Sequence, residues 1–375
     1  MDMSRVLFPL LLALAPLGCA KTTPPPPAPQ PLEHIVVAPD GRGFITAESR
    51  RHFHPWGMNY GNAGRLMEDF WDTDWQTFAD DFREMRALGA NVVRVHLQYG
   101  KFMRAPDQPD PKAFEQLRRM LRLAEETALY LDITGLACYR PADCPAWYDA
   151  MDEKARWDAQ ARFWAEVART CAHSPAVFCY DLMNEPVSPA NKRGPGQWRS
   201  GKLLGQYDFV QAIALDPAGR KREDIAVAWI RHLTAAIRRH DTRHLITVGC
   251  LPWSQRWKFL SGFVPEKIAP ELDFLSVHIY PKKDAPDEAM ECLRHFAVGK
   301  PVVIEETFPL SCGPDRLKEF LLASREIACG WIGHYDGSPP DELDALKRDG
   351  KITMPQAVYR SWQKLFVELG PEMLD

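Results

Sequence analysis

The sequence lacks an excess of charge of either sign. Its 375 residues contain 46 Lys and Arg against 50 Asp and Glu, a formal net charge of -4 at pH 7. A nucleic-acid-binding domain usually shows a basic patch or a basic balance, so this balance gives no reason to expect such a partner. The hydrophobic fraction of 46%, with 12 Trp and 18 Phe, is ample for one large core.

Signatures of cofactor and metal binding are also missing. The segment that ends the first predicted strand, Gly57–Gly61, has no GxGxxG pattern, which disfavours an open, doubly wound dinucleotide-binding sheet. No two cysteines have CxxC spacing, and no Cys/His cluster suggests zinc. A metal-dependent deacetylase or amidohydrolase would need more strand-end ligands than His96 and His278. We therefore expect neither a metal nor an organic cofactor.

The amino terminus resembles a targeting segment. Arg5 precedes an apolar run, Val6–Leu17, that is too short to span a bilayer. Leu17-Gly18-Cys19-Ala20 resembles a bacterial lipoprotein signal, so we expect residues 1–18 to be a signal peptide and Cys19 to carry lipid. Residues 19–34 would form a stiff, Pro-rich linker. The protein would then be exported, as an outer-membrane or periplasm-facing lipoprotein held only through Cys19, or as a secreted protein.

From residue 35 onwards, short β-rich runs alternate with amphipathic segments. Runs such as Asn91–Val95 are apolar almost throughout, as in parallel strands covered on both faces. Phe78, Phe82 and Met85 recur at helical spacing. Eight such units predict a single (β/α)8 TIM barrel over residues 35–375. A short hairpin, Ile35–Arg51, precedes the first strand and is expected to cover the barrel floor.

The bounds of these elements follow from the same pattern. The predicted strands are Phe53–Tyr60, Asn91–Leu97, Tyr130–Leu136, Val177–Met183, His244–Val248, Phe274–Ile279, Pro301–Glu306 and Gly330–Tyr335. The predicted helices are Trp75–Leu88, Pro111–Ala128, Glu153–Ala172, Glu223–His240, Gln255–Leu260, Asp287–Ala297, Asp315–Cys329 and Pro355–Leu369. The long connection after the fourth strand, Val187–Arg222, is expected to line the active face, because loops of this length are often functional.

Polar residues stand at the carboxyl ends of most predicted strands, which a barrel gathers at one mouth. Each alone could be a satisfied core residue or a solvated strand end. Together they would place several charges in one opening, and an unpaired buried charge is costly. These residues are Asn59, Tyr60, Arg94, His96, Asn184, Glu185, His278, Tyr280, Glu305, Glu306, Trp331, His334 and Tyr335.

Two carboxylates facing each other across a mouth suit glycoside hydrolysis. One acts as a protonated acid and the other as an ionised nucleophile. Arg94 could keep the nucleophile ionised, and Tyr280 could hold its orientation. Asn184, beside the acid Glu185, could bind a sugar hydroxyl.

At these positions the sequence resembles glycoside hydrolase family 5, or a near relative in the same clan of retaining β-glycosidases. The resemblance runs from about Ile35 to Leu369 and rests on Asn184-Glu185-Pro186, His278-Ile279-Tyr280 and Lys300–Glu306. It implies that Glu185 is the acid/base, and that Glu306, the second of the Glu pair, is the nucleophile. The two carboxyl groups should then lie about 5–5.5 Å apart, as retention requires.

The expected partner is an oligo- or polysaccharide with β-linkages, of the β-glucan or β-mannan type, bound by a monomer. Whether the enzyme acts on chain ends or within chains stays open. The alternative is a non-catalytic carbohydrate-binding barrel, which would be expected to lose one of the two carboxylates. The predicted substrate-binding residues are Asn59, Tyr60, Arg94, His96, Asn184, His278, Tyr280 and Trp331.

Overall fold

The computed structural model describes residues 31–200, 207–252 and 261–375. The predicted signal peptide, Cys19, most of the predicted linker and the helix predicted at Gln255–Leu260 lie outside these residues. Eight parallel strands, each paired with its neighbour in chain order, form a closed barrel. Helices follow most of the strands. The predicted (β/α)8 architecture is thereby confirmed.

The bounds of the main elements are as follows. The barrel strands are β1 (Trp56–Tyr60), β2 (Val92–Gln98), β3 (Tyr130–Ala137), β4 (Val177–Asn184), β5 (Leu245–Cys250), β6 (Leu275–His278), β7 (Val302–Glu306) and β8 (Gly330–Tyr335). The described helices of nine residues or more are α1 (Trp75–Ala87), α2 (Pro111–Thr127), α3 (Glu153–Cys171), α4 (Arg222–Arg238), α5 (Pro286–Phe296), α6 (Pro314–Ser324), α7 (Pro340–Arg348) and α8 (Met354–Leu374). Single helical turns lie at Tyr99–Phe102, Ala146–Asp149 and Pro265–Ile268.

The predicted hairpin covers the amino-terminal end of the barrel. Its strands, Ile35–Val37 and Phe44–Thr46, pair antiparallel, and His52–Phe53 adds a third strand. The Phe44 ring meets Phe178 and Phe274 edge-on, with ring centroids 5.1 Å away in both cases. This apolar floor leaves the opposite end of the barrel as the place for polar chemistry.

Local sequence explains where the helices begin. The Asp110 carboxylate accepts hydrogen bonds from the backbone N–H groups of Lys112 and Ala113, and Pro111 takes the first helical position of α2. Thr353 and Gln356 form a capping box at the start of α8. No helix of the described residues is both long and apolar enough to cross a bilayer.

Two predicted bounds were wrong and one helix was not predicted. The first strand is divided at Pro55, which has no N–H to donate, so Phe53 pairs in the hairpin sheet and β1 begins at Trp56. Helix α6 ends at Ser324 rather than at Cys329, and the chain turns there into β8. Helix α7 was missed, because its nine residues are short and mostly charged.

The packing of α8 on β8 gives a testable consequence. A Cβ added at Gly333 would lie 1.9 Å from Cζ2 of the buried Trp362. We expect Gly333→Ala to lower the free energy of unfolding by about 1–3 kcal/mol, because an overpacked core must shift. Urea unfolding measures this. In the control Gly43→Ala, the nearest atom is Cβ of Cys329 at 3.9 Å; equal losses in the two variants would contradict the packing argument.

Candidate active site

Arg94 of β2 lies fully buried at the centre of the polar cluster inside the barrel. Its Nη1 donates to Oδ1 of Asn59 at 2.8 Å and to Oε1 of Glu306 at 2.7 Å. Its Nη2 donates to Oδ2 of Asp181 at 2.7 Å and to Oδ1 of Asn184 at 3.0 Å. One guanidinium thus connects side chains from β1, β4 and β7.

Glu306 is held as a carboxylate at the end of β7. Besides Arg94, the Tyr280 hydroxyl donates to its Oε2 at 2.6 Å, and Nδ1 of His278 lies 3.5 Å from the same oxygen. Burial alone would raise the pKa of Glu306, but the charges of His278 and Arg94 outweigh it and hold that pKa well below the usual range. An ionised carboxylate with a fixed orientation is what a nucleophile requires.

Glu185 follows β4 in an unusual backbone conformation. Its φ of 46° lies in the left-handed region, which non-glycine residues seldom occupy. The conformation is held by a 2.8 Å hydrogen bond from its backbone N–H to the carbonyl of Gly249 on β5. Such local strain is characteristic of functional sites, where the surrounding structure holds it in place.

His278 lies between the two carboxylates. Its Nδ1–H donates to Oε1 of Glu185 at 3.0 Å. Burial would lower the pKa of His278, but the Glu306 charge and hydrogen bonds to Glu185 and Glu305 outweigh it and raise that pKa to about 10. The imidazole is therefore a cation at neutral pH.

The separation of the two carboxylates bears on the type of chemistry. One oxygen of Glu185 and one of Glu306 lie within 4.8 Å of each other. Inverting glycosidases keep their carboxyl groups about 6.5–9.5 Å apart to admit a water molecule between them. The spacing in this barrel is the shorter, retaining kind.

Asn59 and His96 belong to the same cluster. His96 contacts Oδ1 of Asn59 through Nε2 at 3.2 Å and the Tyr139 hydroxyl through Nδ1 at 2.6 Å. Burial and the neighbouring Arg94 hold the pKa of His96 well below its ordinary value, so the ring is neutral. The Asn59 amide donates to the backbone carbonyls of Glu305 and Gly333, which fixes its orientation.

Two predicted substrate-binding residues lie elsewhere. The Trp331 side chain is buried, and its indole N–H donates to Oγ of Ser324, at the end of α6, at 2.7 Å. The Tyr60 hydroxyl donates to Oδ2 of Asp81 on α1 at 2.6 Å. Alternate residues of a strand point to opposite faces, so these two rings face the helices while their strands turn Asn59 and His334 inwards.

His334 was among the polar strand-end residues but not among the predicted substrate-binding residues, and the structure places it beside Tyr280. Its Nε2 lies 2.9 Å from the Tyr280 hydroxyl, which already donates its proton to Glu306. Burial lowers the pKa of His334, so the neutral ring donates from Nε2 to the hydroxyl. Every second residue of a strand lies on the same face, so an inward-facing Ile332 would have indicated that His334 also faces inwards. The glycines of β8 obscured this alternation in the sequence.

The connection that follows β4 lines the mouth over part of its length. Its described segments form a small sheet from Pro186–Val187, Arg199–Ser200 and Val210–Ala212. The Asn184 amide donates to the Phe209 carbonyl at 3.1 Å, and the Tyr207 hydroxyl donates to the carbonyl of Gly64, in the loop after β1. This connection therefore contacts the loop after β1.

Two groups of ionisable side chains are close enough together to invite a metal assignment. They are Glu185, His278 and Glu306 at the mouth, and Asp132, Asp181 and Glu305 below it. The charges of Arg94 and His278 already face both groups, so a metal cation would meet strong repulsion. We assign neither group as a metal site.

Comparison with known proteins identifies the family. Residues 55–307 match the cellulase family, glycosyl hydrolase family 5. The chain belongs to glycosyl hydrolase family 5. This confirms the family that the strand-end motifs predicted, and with it the class of glycosidases that hydrolyse O-glycosyl bonds.

One protein of related sequence and several solved structures are similar to this chain. Mannan endo-1,4-beta-mannosidase 2 of Arabidopsis thaliana is 26% identical over 140 residues, 34% of this chain and 26% of that protein. The exo-beta-1,4-mannosidase Op5Man5 from Opitutaceae bacterium strain TAV5 superposes with a TM-score of 0.65 at 19% identity, over 90% of this chain and 62% of that one. The beta-1,4-mannanase of the sea hare Aplysia kurodai gives 0.59 at 12% identity, over 90% and 96%.

The hydrogen bond from Tyr280 to Glu306 predicts a pH effect. Tyr280→Phe removes the donor, so the pKa of Glu306 should rise. A hydrogen bond to a charged group is worth about 1.5–3 kcal/mol, and one pKa unit is about 1.4 kcal/mol. We therefore expect the acidic limb of the kcat/KM profile on an aryl β-glycoside to move upwards by about one pH unit. Tyr60→Phe, altered outside the mouth, should leave the limb in place; coincident profiles of the two variants would argue against this role.

Proposed function

We propose that this chain is a retaining β-glycosidase that acts on β-1,4-linked mannan-type glycans, with Glu306 as nucleophile and Glu185 as acid/base. The observation that carries the proposal is the close approach of the two carboxylates in unlike surroundings. Glu306 is fixed as an anion by Arg94, His278 and Tyr280. Among the described residues, one side chain, His278, hydrogen-bonds the Glu185 carboxylate, and 11% of the Glu185 side chain is exposed.

In this proposal Glu306 attacks the anomeric carbon while Glu185 protonates the departing glycosidic oxygen. The bond from the anomeric carbon to the leaving group breaks, and an ester to Glu306 forms. Glu185, now a carboxylate, then takes a proton from water, which attacks the same carbon and releases Glu306. The cation at His278 contacts both carboxylates and so stabilises whichever is charged at each stage.

The mannan assignment is supported by what the relatives are named for. The plant, bacterial and mollusc proteins are a β-mannosidase or mannanase in each case. The chain spans only about a quarter of the plant protein and 62% of the bacterial one, so the assignment is to a type of linkage and sugar. The bacterial relative is named as an exo-acting enzyme and the plant relative as an endo-acting one. The sizes of the sugars released from mannan would show which pattern this chain follows.

The roles of the two carboxylates predict different defects. Glu306→Ala should abolish release of reducing sugar from β-mannan and from activated aryl β-mannosides alike, because no glycosyl ester can form. Glu185→Ala should lose activity on mannan but keep the first step on an aryl mannoside with a good leaving group, which needs little protonation.

The assay compares both variants with wild type on β-mannan, β-glucan, xylan and 2,4-dinitrophenyl β-mannoside. Equal losses on polymer and activated glycoside in Glu185→Ala would remove Glu185 as the acid. Turnover in Glu306→Ala would remove the nucleophile. Binding of mannan by wild type without any product would favour the carbohydrate-binding barrel instead.

We also propose that the enzyme is exported and held at a membrane by lipid on Cys19. Cys19→Ser should move the protein from the membrane fraction to the soluble exported fraction when expressed in a Gram-negative host. The control is Cys312→Ser, which alters a partly exposed thiol of the barrel and should stay with the membrane. Membrane retention of Cys19→Ser would refute the anchor.

A further inference from the structure

A second group of carboxylates lies deeper in the barrel than the two at the mouth. Asp132 of β3, Asp181 of β4 and Glu305 of β7 are fully buried, and one oxygen of each lies within 4.8 Å of the others. Glu306 is the next residue after Glu305, but its side chain keeps 12% of its surface exposed. The deeper group therefore has no direct access to a substrate.

The three carboxylates are not equally satisfied. Asp181 accepts hydrogen bonds from the Arg94 guanidinium and the Thr134 hydroxyl, both at 2.7 Å, and from the backbone N–H of Gly249, also at 2.7 Å. Glu305 lies 3.5 Å from Nη2 of Arg94 and 3.4 Å from Nε2 of His278, both through Oε2. Both oxygens of Asp132 and Oε1 of Glu305 have no N–H or O–H donor among the described residues.

An ionised Asp132 would be an uncompensated charge beside two other carboxylates. Isolated buried charges cost several kcal/mol, and such groups neutralise instead. The groups that face Asp132 are Glu305 from β7, Arg94 from β2, and Asp181 and Cys179 from β4. The cation Arg94 is already bound to Asp181 and Glu306, and one oxygen of Glu305 lies within 4.8 Å of an oxygen of Asp132.

We propose that Asp132 is a permanently protonated carboxylic acid that donates its proton to Glu305, and that this pair positions the charge of His278 for catalysis. The proton supplies the donor that Oε1 of Glu305 otherwise lacks. Glu305 then remains a single anion whose other oxygen faces His278. Asp132 and Glu305 are positioning residues in this scheme. Their role in catalysis rests on the proposed function, whereas the shared proton between them does not.

The electrostatics of the pair agree with this assignment. Burial, followed by the charge of Glu305, raises the pKa of Asp132 well above its ordinary value. Burial would also raise the pKa of Glu305, but Arg94 and His278 outweigh it and lower that pKa. Two neighbouring carboxyl groups whose pKa values are driven apart share one proton, as in other paired acids.

The direct test measures the protonation state of Asp132 rather than enzyme activity. The wild-type chain is labelled with 13C at aspartate Cγ, and the Asp132 signal is assigned by its loss in Asp132→Asn. We expect that signal to keep the chemical shift of a carboxylic acid from pH 5 to pH 8. A carboxylate shift across that range overturns the proposal, as does a metal cation bound at one equivalent in the purified protein. If Asp132→Asn does not fold, the shift change on Glu305→Gln assigns the same signal.

A matched set of variants tests the hydrogen bond and the positioning role. Asp132→Asn keeps a donor for Glu305, whereas Asp132→Val removes it, so the melting temperature should fall clearly more in Asp132→Val than in Asp132→Asn. Glu305→Gln keeps the shape but removes the anion, so the pKa of His278, read from 15N-labelled histidine, should fall by at least about one unit, a tenfold change in its protonation equilibrium. An unchanged His278 pKa, or equal effects of Asn and Val, contradicts the pair. Absence of glycosidase activity would refute the proposed function and leave these readouts unaffected.

Discussion

A single buried guanidinium organises this site. Arg94 has no contact with solvent, and a buried charge is costly unless it is paired, so both terminal nitrogens of the guanidinium donate to carboxylate and amide oxygens. Its partners come from three other strands, so the barrel must close in the correct register before the cation is satisfied. The same contacts hold Glu306 ionised, which joins the stability of the interior to the chemistry of the mouth.

The chain leaves room for this arrangement at one glycine of β5. A Cβ at Gly249 would lie 2.8 Å from Oε2 of Glu305, 2.9 Å from Nη2 of Arg94 and 3.0 Å from Nε2 of His278. The backbone of Gly249 also donates to Asp181 and accepts from the N–H of Glu185. Gly249 therefore has two roles. Its carbonyl holds the left-handed backbone conformation of Glu185, and its lack of a side chain leaves space for the charged groups.

Much of this could be predicted from the sequence, because strand ends in a barrel meet at one place. The apolar runs predicted the eight strands. The polar residues near the strand ends were predicted to gather at one mouth, among them Arg94, Glu185, His278, Tyr280 and Glu306. The wrong expectations concerned the face of the strand on which a side chain lies, not its level along the strand. Tyr60 and Trp331 stand at the correct level, but a shift of one residue along a strand turns a side chain to the other face. In β8, glycines at 330 and 333 remove the alternation that would have favoured His334.

Asp132 escaped prediction for a different reason. It lies inside a strand that is buried at every position. Such a strand shows no alternation of polar and apolar residues, so the sequence does not indicate what a charged residue within it contacts. Only the closed barrel shows that β3 and β7 bring Asp132 and Glu305 together below the mouth.

The same geometry separates the two adjacent glutamates of β7. Consecutive strand residues cannot share a depth and a direction, and the register of β7 against β6 shifts where Glu306 pairs with His278. Glu305 therefore faces the interior with no exposed surface, while Glu306 reaches the opening between Arg94 and Tyr280. A nucleophile must touch its substrate, so the burial of Glu305 supports the proposed assignment of that role to Glu306 and leaves Glu305 to act through its neighbours.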